Sequence, residues 1–149
     1  MYLTTTKLDH KRATEVESLD QNLLAILPKD YLKFLLEFGT GEYCGEVYIT
    51  YPDSQNIPLT FKDYTDLWEL SDVYNVDDLL KSIQIASTAN GDIICITENK
   101  PDKIFVLPRH SPIIISFKTF EEAIESFLSD EISVPYFDPS FDSRQEQSV

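Results

Sequence analysis

The sequence has few of the residues on which most metal and catalytic sites are built. Of its 149 residues, two are cysteine and two are histidine, and the cysteines form neither a C-x-x-C pair nor another metal-ligand spacing. Only four residues are glycine, which leaves little material for a phosphate-binding loop. The sequence therefore predicts no metal, no cofactor and no catalytic histidine. Cys44 and Cys95 lie in strand-like stretches, so we expect buried free thiols.

Positive charge and long apolar runs are also scarce. The chain has twelve Lys and Arg residues and 26 Asp and Glu residues, so its net charge is −14. Nucleic acids and anionic membrane surfaces are recognised by clustered Lys and Arg, so neither is expected as a ligand. The longest apolar runs, such as residues 113–115, fall far short of the roughly 20 residues of a membrane span. Charged residues interrupt the first 27 positions, so we expect no signal peptide and a cytoplasmic protein.

The composition, with 42% hydrophobic residues, is that of a globular protein. We expect one domain over residues 1–131 and an irregular tail over 132–149. Apolar residues at helical spacing predict helices over 12–26 and 28–38. Gly39 is a natural stop for the second helix. A capping box at Thr119 and Glu122 predicts a third helix, with an apolar face as far as Leu128.

Strand-like runs fill the middle of the sequence. They cover residues 46–51, 83–86, 92–97, 103–107 and 112–117, and residues 57–61 suggest an edge strand because they contain Pro58. Residues 63–81 are interpreted as irregular, with a brief helical turn that Asp77 caps. Helices at both ends and strands between them predict an α+β fold. Its antiparallel sheet has about five to six strands, flanked by an N-terminal helix pair and a C-terminal helix.

The traces of an active site in the sequence are weak. His110 has Ser111 beside it, but adjacent strand residues point to opposite faces, which does not suit a catalytic pair. Gly39, Gly41 and Gly45 only approximate a phosphate-binding glycine motif, and here a helix comes before the loop and a strand after it. We interpret them as a helix stop and a tight turn. A glycosidase-type carboxylate pair remains open, because folding can bring any two of the 26 acids together.

Four stretches of the chain resemble the SUKH superfamily, the Smi/Knr-type proteins. Residues 27–35, LPKDYLKFL, resemble the "LPxDYxxFL" helix entry of that family. Residues 83–96 resemble its "IPIAxxxxGDxIxL" hairpin, residues 103–110 its "GxVYFWDHE" strand and turn, and residues 117–128 its closing "ASFxEFL" helix. The resemblance covers most of residues 15–129 in the family's order. It departs at Leu107–His110, which replace the WDHE turn.

The resemblance implies an α+β domain that binds protein and is not an enzyme. Bacterial members are immunity proteins that bind and neutralise a cognate toxin, often a nuclease. Fungal members are regulatory scaffolds of cell-wall glucan synthesis. We therefore expect an immunity protein with a basic toxin domain as its partner, and the regulatory scaffold is the alternative. An unrecognised hydrolase is a third possibility.

The acidic segment, residues 63–78, is the predicted partner-binding surface. A nuclease has a basic cleft, and an acidic inhibitor gains both steering and specificity from it. Aromatic residues within a charged surface are typical of interface hot spots. The alternative is a solvated loop whose aromatics pack on the sheet. The candidate residues are Asp63, Tyr64, Asp66, Trp68, Glu69, Asp72, Tyr74, Asp77 and Asp78.

Overall fold

A computed structural model describes residues 7–9, 19–43, 45–63 and 66–128. These residues form an antiparallel sheet in which each strand pairs with the next one along the chain. Its seven strands are β1 (Lys7–Asp9), β2 (Thr40–Tyr43), β3 (Val47–Asp53), β4 (Ser82–Thr88), β5 (Ile93–Thr97), β6 (Ile104–Leu107) and β7 (Ile115–Phe117). Five helices accompany them: α1 (Gln21–Ile26), α2 (Lys29–Phe38), α3 (Asn56–Asp63), α4 (Val76–Leu80) and α5 (Phe120–Glu125).

The two faces of the sheet carry separate apolar cores. Successive side chains of a strand point to opposite faces. In β5, Ile94 and Ile96 therefore join one core, and Cys95 between them joins the other. The first core holds α1, α2 and α5, and the second holds α3, α4 and the loop between them. A bulge in β4 between Gln84 and Ala86 interrupts this alternation.

The larger core fastens α2 and α5 to the sheet and to each other. Tyr31 is fully buried, and its hydroxyl donates to the Thr50 carbonyl at 2.5 Å. Its ring centroid lies 5.1 Å from that of Phe120 in an edge-to-face arrangement. Asp30 accepts a hydrogen bond from the Glu121 backbone N–H at 2.9 Å. This contact joins the first turn of α2 to the first turn of α5.

The α+β class and the three flanking helices are confirmed. Five of the predicted strands are present as β3–β7, and β1 and β2, which were not predicted, bring the sheet to seven strands. The first helix begins at Gln21, after its N-cap Asp20, and residues 12–18 of its predicted range lie outside the described residues. Thr119 caps α5 as predicted, accepting from the Glu122 N–H at 3.1 Å. The other half of the predicted capping box differs, because the Glu122 carboxylate accepts from the N–H of Lys118, one residue before Thr119, at 3.2 Å. Cys95 is a buried free thiol, and Cys44 lies outside the described residues.

One local prediction was wrong, and one strand was missed. Residues 57–61 belong to α3 and not to a strand, because Asp53 accepts from the backbone N–H groups of Gln55 and Asn56 and so starts a helix. Pro58 lies in the first turn of that helix, where its missing N–H costs nothing. The predicted helix stop at Gly39 and tight turn at Gly45 are present, the turn closed by a 3.2 Å hydrogen bond from the Glu46 N–H to the Tyr43 carbonyl. The residues between them form strand β2, which was not predicted, and Gly41 pairs there with Ile49 of β3.

The predicted domain limits, 1–131, stay a prediction. The tail over 132–149 lies outside the described residues. The brief helical turn near Asp77 is present as α4, but its N-cap is Asn75. Asn75 and Asp78 form a reciprocal capping box there, with two hydrogen bonds of 2.9 Å.

Candidate partner-binding surface

The acidic segment lies on the face of the sheet opposite α1, α2 and α5. It contains the end of α3, a loop and α4, and the second core lies beneath it. The carboxylates of Asp66, Glu69, Asp72 and Asp77 are exposed, so they are accessible to a partner. The side chain of Asp63 and the whole of Tyr64 lie outside the described residues.

The two remaining aromatic candidates are part of the core. Trp68 is 9% exposed and Tyr74 1% exposed. The indole N–H of Trp68 donates to the Pro108 carbonyl at 2.9 Å, which fastens the loop to the connection between β6 and β7. The Tyr74 ring lies 4.8 Å from Phe105, and its hydroxyl shares a 2.5 Å hydrogen bond with Ser82. These two side chains pack on the sheet, as the alternative interpretation of a solvated loop with buried aromatics predicts. They hold the neighbouring acidic residues in position.

Asp78 is also buried, at 1% exposure, and it has a full set of partners. Its carboxylate forms an ion pair with Lys100 at 2.7 Å and accepts from the side-chain amide of Asn99 at 3.0 Å. Burial alone would raise the pKa of Asp78. The hydrogen bonds from Lys100, the Asn75 backbone and Asn99 outweigh burial and hold the pKa below its usual value.

Lys100 does more than neutralise Asp78. Its ammonium group also donates to the carbonyls of Asp72 at 3.0 Å and Val73 at 2.7 Å. One side chain from the turn between β5 and β6 thus holds both the loop and α4 of the acidic segment. No local sequence signal points to this role, because Lys100 is 22 residues from Asp78 in the chain.

Asp77 presents its charge to solvent. Asn99 donates to its carboxylate at 2.8 Å, and Lys81 lies 3.2 Å away. The pKa of Asp77 is lowered, first by the Asn99 hydrogen bond and then by Lys81, so the group stays ionised at neutral pH. Lys81 neutralises part of this charge.

The candidate surface also exposes apolar side chains that the sequence analysis did not single out. Val73 and Val76 are 56% and 46% exposed, and Ile113, beyond the loop, is 60% exposed. The loop is held next to this isoleucine by a 2.8 Å hydrogen bond from the Glu69 N–H to the Pro112 carbonyl. Apolar side chains set among charges are typical of protein interfaces.

Within residues 7–9, 19–43, 45–63 and 66–128, no three His, Cys, Asp or Glu side chains are placed to hold a metal ion. No helix in that part of the chain is long and apolar enough to cross a bilayer. His110 is exposed in the connection between β6 and β7.

Comparison with known proteins identifies the family. No curated protein and no solved structure matches the chain. The model of the SUKH_6 family, described as SMI1-KNR4 cell-wall, matches residues 13–128. This range covers most of the chain and includes all five helices and every strand but β1. The chain belongs to the SUKH superfamily, in this SMI1-KNR4 family.

Proposed function

We propose that the chain is a non-enzymatic binding protein that neutralises a toxin with a basic active cleft, acting as an immunity protein in the cytoplasm. The observation that carries this proposal is the exposed acidic face formed by Asp66, Glu69, Asp72 and Asp77. Membership of the SUKH superfamily and the net charge of −14 support it. A nuclease is the first toxin class to test, because its cleft must bind phosphates.

The acidic face is preorganised, which favours tight binding. Trp68, Tyr74 and Asp78 fix the segment from beneath, and Lys100 holds its loop from the side. A partner therefore does not have to order the loop when it binds, so less binding free energy is lost to conformational entropy. Exposed carboxylates also speed the encounter with a basic protein, and salt weakens this effect.

A second function is a regulatory scaffold of cell-wall glucan synthesis. The description of the matching family, which names the cell wall, favours it. A scaffold binds several partners weakly, whereas an immunity protein binds one partner tightly. The number of partners and their salt dependence therefore separate these two functions.

The first experiment is capture of the partner. The immobilised chain is exposed to lysate of its source cells at low and at high salt, and bound proteins are identified by mass. The captured protein is then expressed in a bacterial host, alone and together with this chain. Growth arrest that the chain relieves supports the immunity function. A captured protein without toxicity, or toxicity that the chain does not relieve, contradicts it.

A pair of charge-reversal variants then tests the acidic face. Asp66→Lys/Asp72→Lys changes the net charge by the same amount as Glu37→Lys/Glu125→Lys, whose glutamates are exposed on the other face of the sheet. We expect the first variant to slow association about tenfold or more and to flatten its salt dependence, with the second near wild type. Equal effects would show that overall charge matters and this face does not.

A further inference from the structure

β7 lies at the edge of the sheet formed by the described residues. It pairs with β6, where Val106 opposes Ile115 and Ile104 opposes Phe117, and no described strand lies on its outer side. An edge strand presents unpaired backbone N–H and C=O groups to any extended chain that approaches. Proteins often protect such edges with short strands, proline or charge, and β7, of sequence ISF, is short but has neither proline nor charge.

A pocket of about 240 Å³ lies beside β7 on the side of the acidic segment. Leu70, Val73 and Tyr74 line it from the loop, and Ile114 and Ser116 line it from β7 and the residue before it. The volume is below the roughly 300–1,000 Å³ of small-molecule sites, so it suits the side chain of a partner protein. Alternate side chains of a strand added to β7 point to this same face.

The charges around the pocket indicate which kind of partner segment can bind there. Among the described residues, Glu69 is the one charged residue that lines the pocket, and it is exposed. Asp72, also exposed, lies between two lining residues, Ser71 and Val73. A cationic segment is favoured here. A second copy of the chain is disfavoured, because each copy has a net charge of −14.

We propose that β7 and this pocket bind an extended, Lys- or Arg-bearing segment of the partner, which pairs with the edge of the sheet and inserts an apolar side chain between the loop and β7. The proposal rests on the proposed function and adds to it a binding mode. Backbone pairing supplies affinity in such strand addition, and pockets for alternate side chains supply specificity. The acids of the loop then contact basic side chains two residues away from the inserted one, which point to the same face.

The probe for this surface is a phage-displayed library of random dodecapeptides, selected against the full chain. We expect enriched peptides in which a basic residue lies two positions from an apolar residue, so that both side chains point to the pocket face. Their synthetic forms should shift the backbone amide NMR signals of residues 113–117 and of the loop 69–74. Enrichment of acidic peptides, signals that shift on another face, or no enrichment would overturn the proposal.

Two changes separate strand addition from general charge attraction. N-methylation of a peptide amide that pairs with β7 should weaken binding about tenfold, since it removes one backbone hydrogen bond and adds bulk at the edge. Glu69→Lys should weaken it by a similar factor, and the control Glu37→Lys, on the opposite face, should leave it unchanged. A peptide that tolerates N-methylation at every position would overturn the strand-addition mode.

Hydrogen exchange of the free chain tests whether a second copy, or another part of the same chain, occupies the edge at β7. With the edge open, the outward-facing amides of β7 exchange fast at every protein concentration. Protection that grows with concentration would mean that a second copy occupies the edge. Protection that is independent of concentration and lost on truncation after Leu128 would mean that the chain covers its own edge. Either result overturns the proposal, and neither affects the toxin-neutralisation test.

Discussion

The ammonium nitrogen of Lys100 lies 2.7 Å from the carboxylate of Asp78, a residue with 1% of its surface exposed. Lys100 itself is partly exposed, at 27% of its side chain. A buried charge that keeps its partner is tolerated, and one that loses its partner is strongly destabilising. The stability of the acidic segment therefore depends on a lysine outside it.

Lys100→Met should destabilise the protein by about 3 kcal/mol, because it leaves the buried Asp78 without its cation and frees two loop carbonyls. The control is Lys81→Met, which removes the exposed ion pair with Asp77 and should cost much less stability. Urea unfolding followed by the fluorescence of Trp68, the only tryptophan, measures both. Similar losses in the two variants would contradict the role given to Lys100.

Acid should weaken the ion pair between Asp78 and Lys100 and the hydrogen bonds to the Asp78 carboxylate. The pKa of Asp78 is below its usual value of 3.8 in the folded protein, so its contribution to stability is complete above the unfolded pKa. That contribution is lost as the pH falls through the lower folded value. We expect the free energy of unfolding to fall more steeply below about pH 4 in the wild type than in Asp78→Asn/Lys100→Met. Parallel curves for the two proteins would be evidence against this linkage.

Glu121→Gln should stabilise the protein at neutral pH. Partial burial raises the pKa of Glu121, and the nearby carboxylates of Glu125 and Asp30 raise it further. The charged form is therefore disfavoured in the folded state, so removing the charge should add about 0.5 kcal/mol. Glu37→Gln, at an exposed position of α2, is the control. Thermal unfolding at pH 7 compares them, and a lower midpoint for Glu121→Gln would refute the expectation.

Gly91→Ala should destabilise the turn between β4 and β5. Gly91 has φ +91°, a conformation that side chains with a Cβ rarely adopt, which costs about 1–2 kcal/mol. A Cβ there would also lie 2.6 Å from Cδ of Arg109, a contact that the flexible arginine can move to avoid. We expect most of the loss to persist in Arg109→Ala/Gly91→Ala, measured against Arg109→Ala alone. Full recovery would identify the contact, and not the backbone, as the cause.

Local sequence signals predicted those elements that their own residues determine. α2 has a complete apolar stripe, with Tyr31, Phe34, Leu35 and Phe38 buried, and α5 has its N-cap. β2 was missed because its strand conformation depends on pairing with β3, and not on the propensity of a sequence that begins Thr-Gly. α3 was missed because Pro58 suits either an edge strand or a first helical turn.

The same distinction between local sequence signals and distant contacts applies to the candidate site. Sequence located the acids, and four of them are exposed, because charged residues on a loop remain in water. It did not locate the buried position of Asp78, since that position depends on Lys100 and Asn99 from a distant turn. It also did not place Ile113 beside the acidic segment, because a hydrogen bond between Glu69 and Pro112 brings the two loops together.

The strands lie in the sheet in the same order as in the chain, and this order affects the sequence of events during folding. Strands β4 to β7 are joined by short connections, so their ladders form with little loop-closure entropy. The ladder between β3 and β4 must instead close over residues 54–81, which include the acidic segment. We expect β4–β7 to form first and to provide the surface on which this insertion and the N-terminal strands assemble.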